Sequence, residues 1–182
     1  DDASGEALPV DKARSLIRNF LAPVTTIERV AIRDALDRVL AADVVSPLDV
    51  PGHDNSAMDG WAVRFADLAP DAATTLRRVG ESFAGKPHAG PVGAGEAVRI
   101  FTGAVMPEGA DTVVMQERAT EVPGGVAVEA RAVSKAGQNR RFAGEDLEAG
   151  QVVFRAGQRV RPAELGMIAS LGIGEVAVFR RL

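Results

Sequence analysis

The chain has no cysteine and no tyrosine, and only two histidines and one tryptophan among its 182 residues. Without thiols there is no disulfide, thiolate zinc site, iron–sulfur ligation or cysteine nucleophile to consider, and a reducing compartment is permitted. His53 and His88 leave no multi-histidine metal cluster and no serine protease triad. Long apolar runs are missing too, so no membrane span is expected. The acidic start Asp1-Asp2 is unlike the basic front of a signal peptide, and a cytoplasmic location is expected. Positive charge is not in surplus: 21 Lys and Arg against 25 Asp and Glu give −4, which argues against a general nucleic-acid binder.

What is abundant is valine. There are 23 Val against 12 Leu and 6 Ile, with 19 Gly and 10 Pro, the composition of short strands joined by many turns. The clearest helical signal comes first, where Ala13, Leu16, Ile17, Phe20 and Leu21 fall on one face, Asp11 is placed to cap and Pro23 to stop. A strand is expected around Ile27, Val30 and Ile32, then a short helix carrying Ala35, Leu36, Val39 and Leu40 after Asp34. Apolar and β-branched runs at 61–63, 74–79, 97–101, 112–115 and 126–128 read as strands, the last two joined through Pro123-Gly124-Gly125. No amphipathic run there is long enough for a βαβ crossover, which favours antiparallel pairing. A strand at 152–154, a helix from Pro162 to Leu171 with Leu165, Ile168, Ala169 and Leu171 inward, and an alternating strand at 175–180 close the chain.

These signals predict a mixed α/β and all-β architecture: a small discontinuous α/β domain from residues 24–49 and 136–182, with an antiparallel barrel- or sandwich-like domain, residues 50–135, inserted in it. An N-terminal helix, residues 9–22, belongs to neither and presents a free apolar face.

Three polar segments could carry chemistry. Residues 51–60 hold Asp54, Asn55, Ser56 and Asp59 between two glycines and lead straight into the strand at Trp61. Asp59 is therefore either a hard oxygen ligand or electrostatic group at a strand root, or, with Asp54, a turn residue bonding local N–H groups. The spacing does not fit an EF-hand. In residues 101–111, Thr102 and Gly103 offer a hydroxyl beside backbone N–H groups, an anion cradle or simply a turn. Residues 135–161 carry six Lys or Arg against three acids. There Arg140 and Arg141 precede Gly144-Glu145-Asp146, an arrangement able to pair with an oxyanion or to form plain surface salt bridges.

The runs Asp54-Asn-Ser-Ala-Met-Asp-Gly-Trp-Ala-Val-Arg64, Gly95-Glu-Ala-Val-Arg-Ile-Phe-Thr-Gly-Ala104, Pro107-Glu-Gly-Ala-Asp-Thr-Val-Val114 and Gly144-Glu-Asp146 resemble, in order and spacing, the N-terminal and linker region of molybdopterin molybdotransferases. These are the molybdenum insertases, related to the E domain of gephyrin. The resemblance runs from about Pro9 to Leu182. It implies a cytoplasmic homodimeric enzyme that inserts molybdate into adenylylated molybdopterin, releasing AMP, with a divalent metal such as Mg2+. It also implies a catalytic domain C-terminal to this region, on which the first helix packs, so that this chain alone would be inactive. By the same resemblance Asp59, Thr102 and Asp146 are catalytic positions, Arg141 and Asp146 bind the cofactor being made, and Asp59 is a metal ligand. Trp61 replaces the family's usual tyrosine and Phe101 a common methionine. The competing expectation is a non-catalytic dimerisation or protein-binding scaffold of the same fold; neither a nucleic acid nor a membrane is expected as partner.

Overall fold

The computed structural model describes residues 8–181. In chain order its elements are α1 (Val10–Phe20), β1 (Ile27–Ala31), β2 (Val44–Val45), β3 (Asn55–Ser56), β4 (Gly60–Val63), β5 (Thr74–Ser82), β6 (Glu96–Ile100), β7 (Thr112–Met115), β8 (Ala119–Val122), β9 (Gly125–Val128), β10 (Arg140–Arg141), β11 (Val152–Phe154), α2 (Pro162–Ser170) and β12 (Glu175–Phe179), with short 3-10 turns between some of them. The chain divides into two units, one comprising everything up to Val44 together with Val152 onward, the other Val45–Gln151. Residues 45–49 and 136–151 thus sit with the middle unit.

In the outer unit β1 and β12 pair antiparallel, Ile27 opposite Phe179 and Ala31 opposite Glu175. Val176 and Val178 alternate inward along β12, as a half-buried strand requires. They meet Ala35, Leu40, Val160 and Ile168 in one core. Ile168 and Leu171 of the second helical segment are buried as expected, whereas Ala169 is exposed. At the start of α2 the Glu164 carboxylate accepts the Arg161 N–H at 3.0 Å, satisfying a donor the helix cannot.

Two local expectations are corrected here. No helix forms over residues 35–40: a 3-10 turn covers Ile32–Asp34 and Asp37 adopts φ 63°, a left-handed conformation that ends helical propagation. The backbone beyond it is used otherwise, since Leu40 N–H donates to the Gln158 carbonyl and Phe179 N–H to that of Val39. Nor does Asp11 cap α1. Pro9 holds the cap position with no side-chain bond, and no residue of the helix is buried.

The middle unit is built on a six-stranded sheet in the order β7-β4-β6-β5-β9-β8, curled and partly closed. One pair departs from the antiparallel expectation: β5 and β6 run parallel. Residues 83–95 make the crossover without a helix, at the dozen-residue length that a parallel connection needs. Central β4 is buried on both faces, which is why Gly60-Trp61-Ala62-Val63 reads as a continuous apolar run. Trp61 and Val63 enter a core with Leu76, Ala97, Val114 and Val126; Ala62 enters another with Val98, Ile100, Met106 and Val113. Gly60 is required by space, because a Cβ there would lie 1.9 Å from the Val114 carbonyl oxygen. No helix among the described residues is long and apolar enough to cross a membrane.

Candidate functional site

The three polar segments meet on β3. Arg140 and Arg141 of β10 pair antiparallel with Ser56 and Asn55, while the residues after β6 pair with the other side of the same segment. Ser56 N–H donates to the Ala104 carbonyl at 3.0 Å, Gly103 N–H to that of Ser56 at 2.8 Å and Met106 N–H to that of Asp54 at 2.9 Å. Residues far apart in sequence therefore share one small patch of the middle unit. The buried Ser56 hydroxyl turns the chain onward by donating to the Met58 carbonyl at 2.5 Å.

Asp59 and Thr102 are in direct contact. Asp59 Oδ1 accepts the Thr102 backbone N–H at 2.8 Å and its hydroxyl at 2.7 Å. Gly103, at φ 79°, allows the turn that presents both donors. These two bonds, aided by the nearby Arg99 charge and opposed by a little desolvation, hold the Asp59 carboxyl below the usual carboxylate range. The carboxylate is ionised with Oδ2 free of these bonds, and the Thr102 hydroxyl proton is committed to Asp59, which leaves that oxygen as an acceptor.

Arg141 and Asp146 form a second contact pair. Arg141 donates from Nη2 to Asp146 Oδ2 at 2.7 Å and from Nε to Glu145 Oε1 at 2.6 Å. Glu145 also accepts the Phe142 N–H at 2.8 Å. The Glu145 bond first, then that to Asp146, raise the Arg141 pKa, and the Arg141 and Phe142 bonds lower that of Glu145. An anion approaching Arg141 would meet a guanidinium already shared with two carboxylates. The structure brings Asp59 together with Thr102 and Arg141 together with Asp146; the two pairs are linked through β3.

Asp54 and Asp59 do not bond local N–H groups, contrary to the plainer expectation. Asp54 Oδ1 accepts the Ala143 N–H at 2.7 Å, 89 residues away, and Oδ2 is ion-paired with Arg140. Burial works against the Asp54 charge, yet the Arg140 hydrogen bond, the Ala143 N–H and the Arg140 charge together keep its pKa below the usual range. Glu145 and Arg99 are the participants that sequence reasoning missed. Both stood inside runs already singled out, Glu145 in Gly144-Glu-Asp146 and Arg99 in the run from Gly95 to Ala104, but neither was read as a site residue.

The donor set does not by itself suit a resident divalent ion. Magnesium asks for several oxygens in near-octahedral array. Asp59 has one oxygen engaged by Thr102 and Asp146 has one engaged by Arg141. Among the described residues no three or more His, Asp or Glu side chains gather as a metal site. Thr102, Glu145 and Asp146 are exposed, whereas Asp59 and Arg141 are half-buried. A cleft of about 460 Å³ in the same unit, lined by Phe65, Leu68, Pro70 and Val133 among others, includes none of these side chains.

Known proteins resemble the chain in both sequence and structure. A family described as the MoeA N-terminal region, domains I and II, matches residues 8–172. The chain is 43% identical over 175 residues to a molybdopterin molybdenumtransferase of Haemophilus influenzae, covering 96% of this chain and 43% of that protein. With its counterpart in Bacillus subtilis it shares 36% identity over 182 residues, 96% of this chain and 41% of that one. Among solved structures, a molybdopterin biosynthesis MoeA protein from Pyrococcus horikoshii OT3 superposes with a TM-score of 0.87 at 34% identity, covering 95% of this chain and 46% of the other. The chain thus spans less than half the length of these relatives.

Proposed function

The chain belongs to the MoeA N-terminal-region family, and from that membership we propose that it supplies one wall of the active site of a cytoplasmic, homodimeric molybdopterin molybdenumtransferase. That enzyme would insert molybdate into adenylylated molybdopterin and release AMP, the remaining groups coming from the further length its relatives possess. The observation that carries this reading is the convergence on β3 of three motifs, with Asp59 fixed by Thr102 and Arg141 by Asp146 and Glu145.

The chemistry open to these residues is electrostatic. The substrates are anions: molybdate, and a phosphoanhydride joining molybdopterin to AMP. Arg141 is the cation available to such oxygens: its ties to Glu145 and Asp146 fix its orientation before substrate arrives, and an incoming oxyanion competes with those two carboxylates for it. Asp59, ionised at the other end of the β3 segment, repels misplaced anions and accepts a hydrogen bond or counter-ion that arrives with the substrate. Thr102 offers the outward lone pairs of its hydroxyl. A divalent ion held at this patch would need oxygens beyond those this chain supplies.

The test is single-turnover formation of the molybdenum cofactor by the full-length enzyme, comparing wild type with Arg141→Ala and Asp59→Asn. Rate losses of roughly a hundredfold in each, with folding retained, are expected for charge-directed groups acting in the transition state. Wild-type rates in both variants would remove the assignment.

A further inference from the structure

Arg99 lies on β6 directly opposite Trp61 of β4, so the two side chains share a face of the sheet, with Phe101 two residues on. Its guanidinium centre is 5.6 Å from the Trp61 ring centroid and 4.8 Å from that of Phe101. Phe101 in turn stacks on Phe83, centroids 4.7 Å apart and planes 11° from parallel. A flat cation held over two rings keeps its donors in the guanidinium plane, and two of them engage partners there. Nη1 donates to the Gly60 carbonyl at 2.9 Å and Nη2 to Gln116 Oε1 at 2.7 Å.

Both partners flank Asp59. The Gly60 carbonyl belongs to the residue next to it, and the Gln116 backbone N–H donates to the Asp59 carbonyl at 3.0 Å. Thr102, which grips the Asp59 carboxylate, follows Phe101 in sequence and so hangs from the ring that Arg99 covers. Backbone and side chain of Asp59 are thereby tied to one guanidinium. The donors of Arg99 go to a carbonyl and an amide, neither of which neutralises a charge as a carboxylate would.

We infer that Arg99 is a positioning residue for Asp59: its fork, clamped between Trp61 and Phe101, fixes the Asp59-Gly60 backbone through Gly60 and Gln116 and so aims the Asp59 carboxylate in the reaction. This rests on the role given to Asp59 above. A lysine would keep the charge and lose the planar two-partner grip.

The experiment uses Arg99→Met, Arg99→Lys, Asp59→Asn and the double variant Arg99→Met/Asp59→Asn in the full-length enzyme. It is joined to amide hydrogen exchange on the 182-residue chain. Arg99→Met is expected to slow single turnover about tenfold or more with half-saturating substrate changed less than about twofold, since misaimed groups cost rate more than binding. Arg99→Lys should not restore the rate. The double variant should be within about twofold of Asp59→Asn alone, because residues acting as one unit do not add. In the chain itself, Arg99→Met should speed exchange at the Gln116 amide about tenfold while leaving the amides of β5 and β9 unchanged.

A wild-type rate in Arg99→Met, full rescue by lysine, or a double variant slowed by the product of the single effects would overturn the inference. If Arg99→Met unfolds the chain, Gln116→Leu cuts the Gln116 link alone and leaves the stack and the Gly60 bond; a slowed turnover there supports the positioning role and an unchanged one refutes it. A wild-type rate in Asp59→Asn brings down the role of Asp59 and the inference together. A slow Asp59→Asn beside a normal Arg99→Met brings down only the inference.

Discussion

At the scale of single residues, the two aspartates of the polar loop are clamps before they are anything else. Asp54 is bonded to Arg140 and to the Ala143 N–H, and replacing it with alanine leaves a half-buried guanidinium without its carboxylate. A loss of about 2 kcal/mol in denaturant unfolding is expected. The pH dependence has a definite sign. Asp54, Asp59 and Glu145 all have folded pKa values below their ordinary ones, so each adds stability that is complete above the unfolded value and lost as pH falls through the folded one. The melting temperature should therefore decline on acidification below the ordinary carboxylate range, and Asp54→Asn should decline less steeply. A melting temperature that rises on acidification through that range would contradict these assignments. The run Pro51-Gly-His-Asp-Asn-Ser-Ala-Met-Asp-Gly60 drew attention to both aspartates, Asp59 as a site or turn residue and Asp54 as a turn residue. What each one holds was not, because Thr102 lies 43 residues from Asp59 and Ala143 lies 89 from Asp54; periodicity and turn chemistry report on neighbours in the chain.

Elements were legible where burial sets a local period and illegible where a distant backbone decides. Strand β12 alternates its burial along Glu175–Phe179, and Pro123-Gly124-Gly125 does make a hairpin turn, but from β8 (Ala119–Val122), a strand not anticipated, to β9, while the strand at 112–115 expected as its partner pairs with β4. Residues 35–40 failed the same reasoning. Ala35 and Leu40 are core residues, yet Leu36 and Val39 are exposed, since Asp37 breaks the helix and the carbonyls of Gln158 and Val39 take up pairing that no 3.6-residue pattern encodes. The parallel β5–β6 pair was hidden for a related reason: the connecting residues 83–95 contain no helical run to announce it. Central β4 yields a sharp prediction. Gly60→Ala forces a methyl against the Val114 carbonyl, 1.9 Å away in the present backbone, and should cost about 2 kcal/mol or more in chemical denaturation while lowering the rate, since the strand must shift next to Asp59. In contrast, Gly95→Ala meets open space and pays only for its φ of 72°, about 1 kcal/mol. Equal losses at the two glycines would mean that the sheet yields freely at β4.

For the whole molecule, the useful division is that between the outer unit and Val45–Gln151. The middle unit has its own two cores and all of the candidate site residues, so a protein of residues 45–151 is expected to fold by itself. A dispersed amide spectrum and a single cooperative thermal transition would show it; an unfolded spectrum would show that the unit needs the rest. The sequence placed a β-rich stretch between helical ends because valine-rich runs and glycine turns crowd residues 50–135, but the loops at 45–49 and 136–151 carry no such signature. They join the middle unit through long-range bonds such as Val50 to Leu147 and Ser46 to Gln151. Those last contacts have a consequence in polymer terms. Gln151 carbonyl receives the Ser46 N–H and Ser46 carbonyl the Gly150 N–H, at 2.9 and 2.8 Å, so the chain leaves and returns at nearly one point. To the strands β1 and β12 on either side, everything between is a ring closed by its own contents. Because the entropic cost of closing a flexible ring rises only logarithmically, by about 0.6 kcal/mol per doubling of length, and a folded insert preassembles its own ends, the length of the insert bears little on the cost of bringing those ends together.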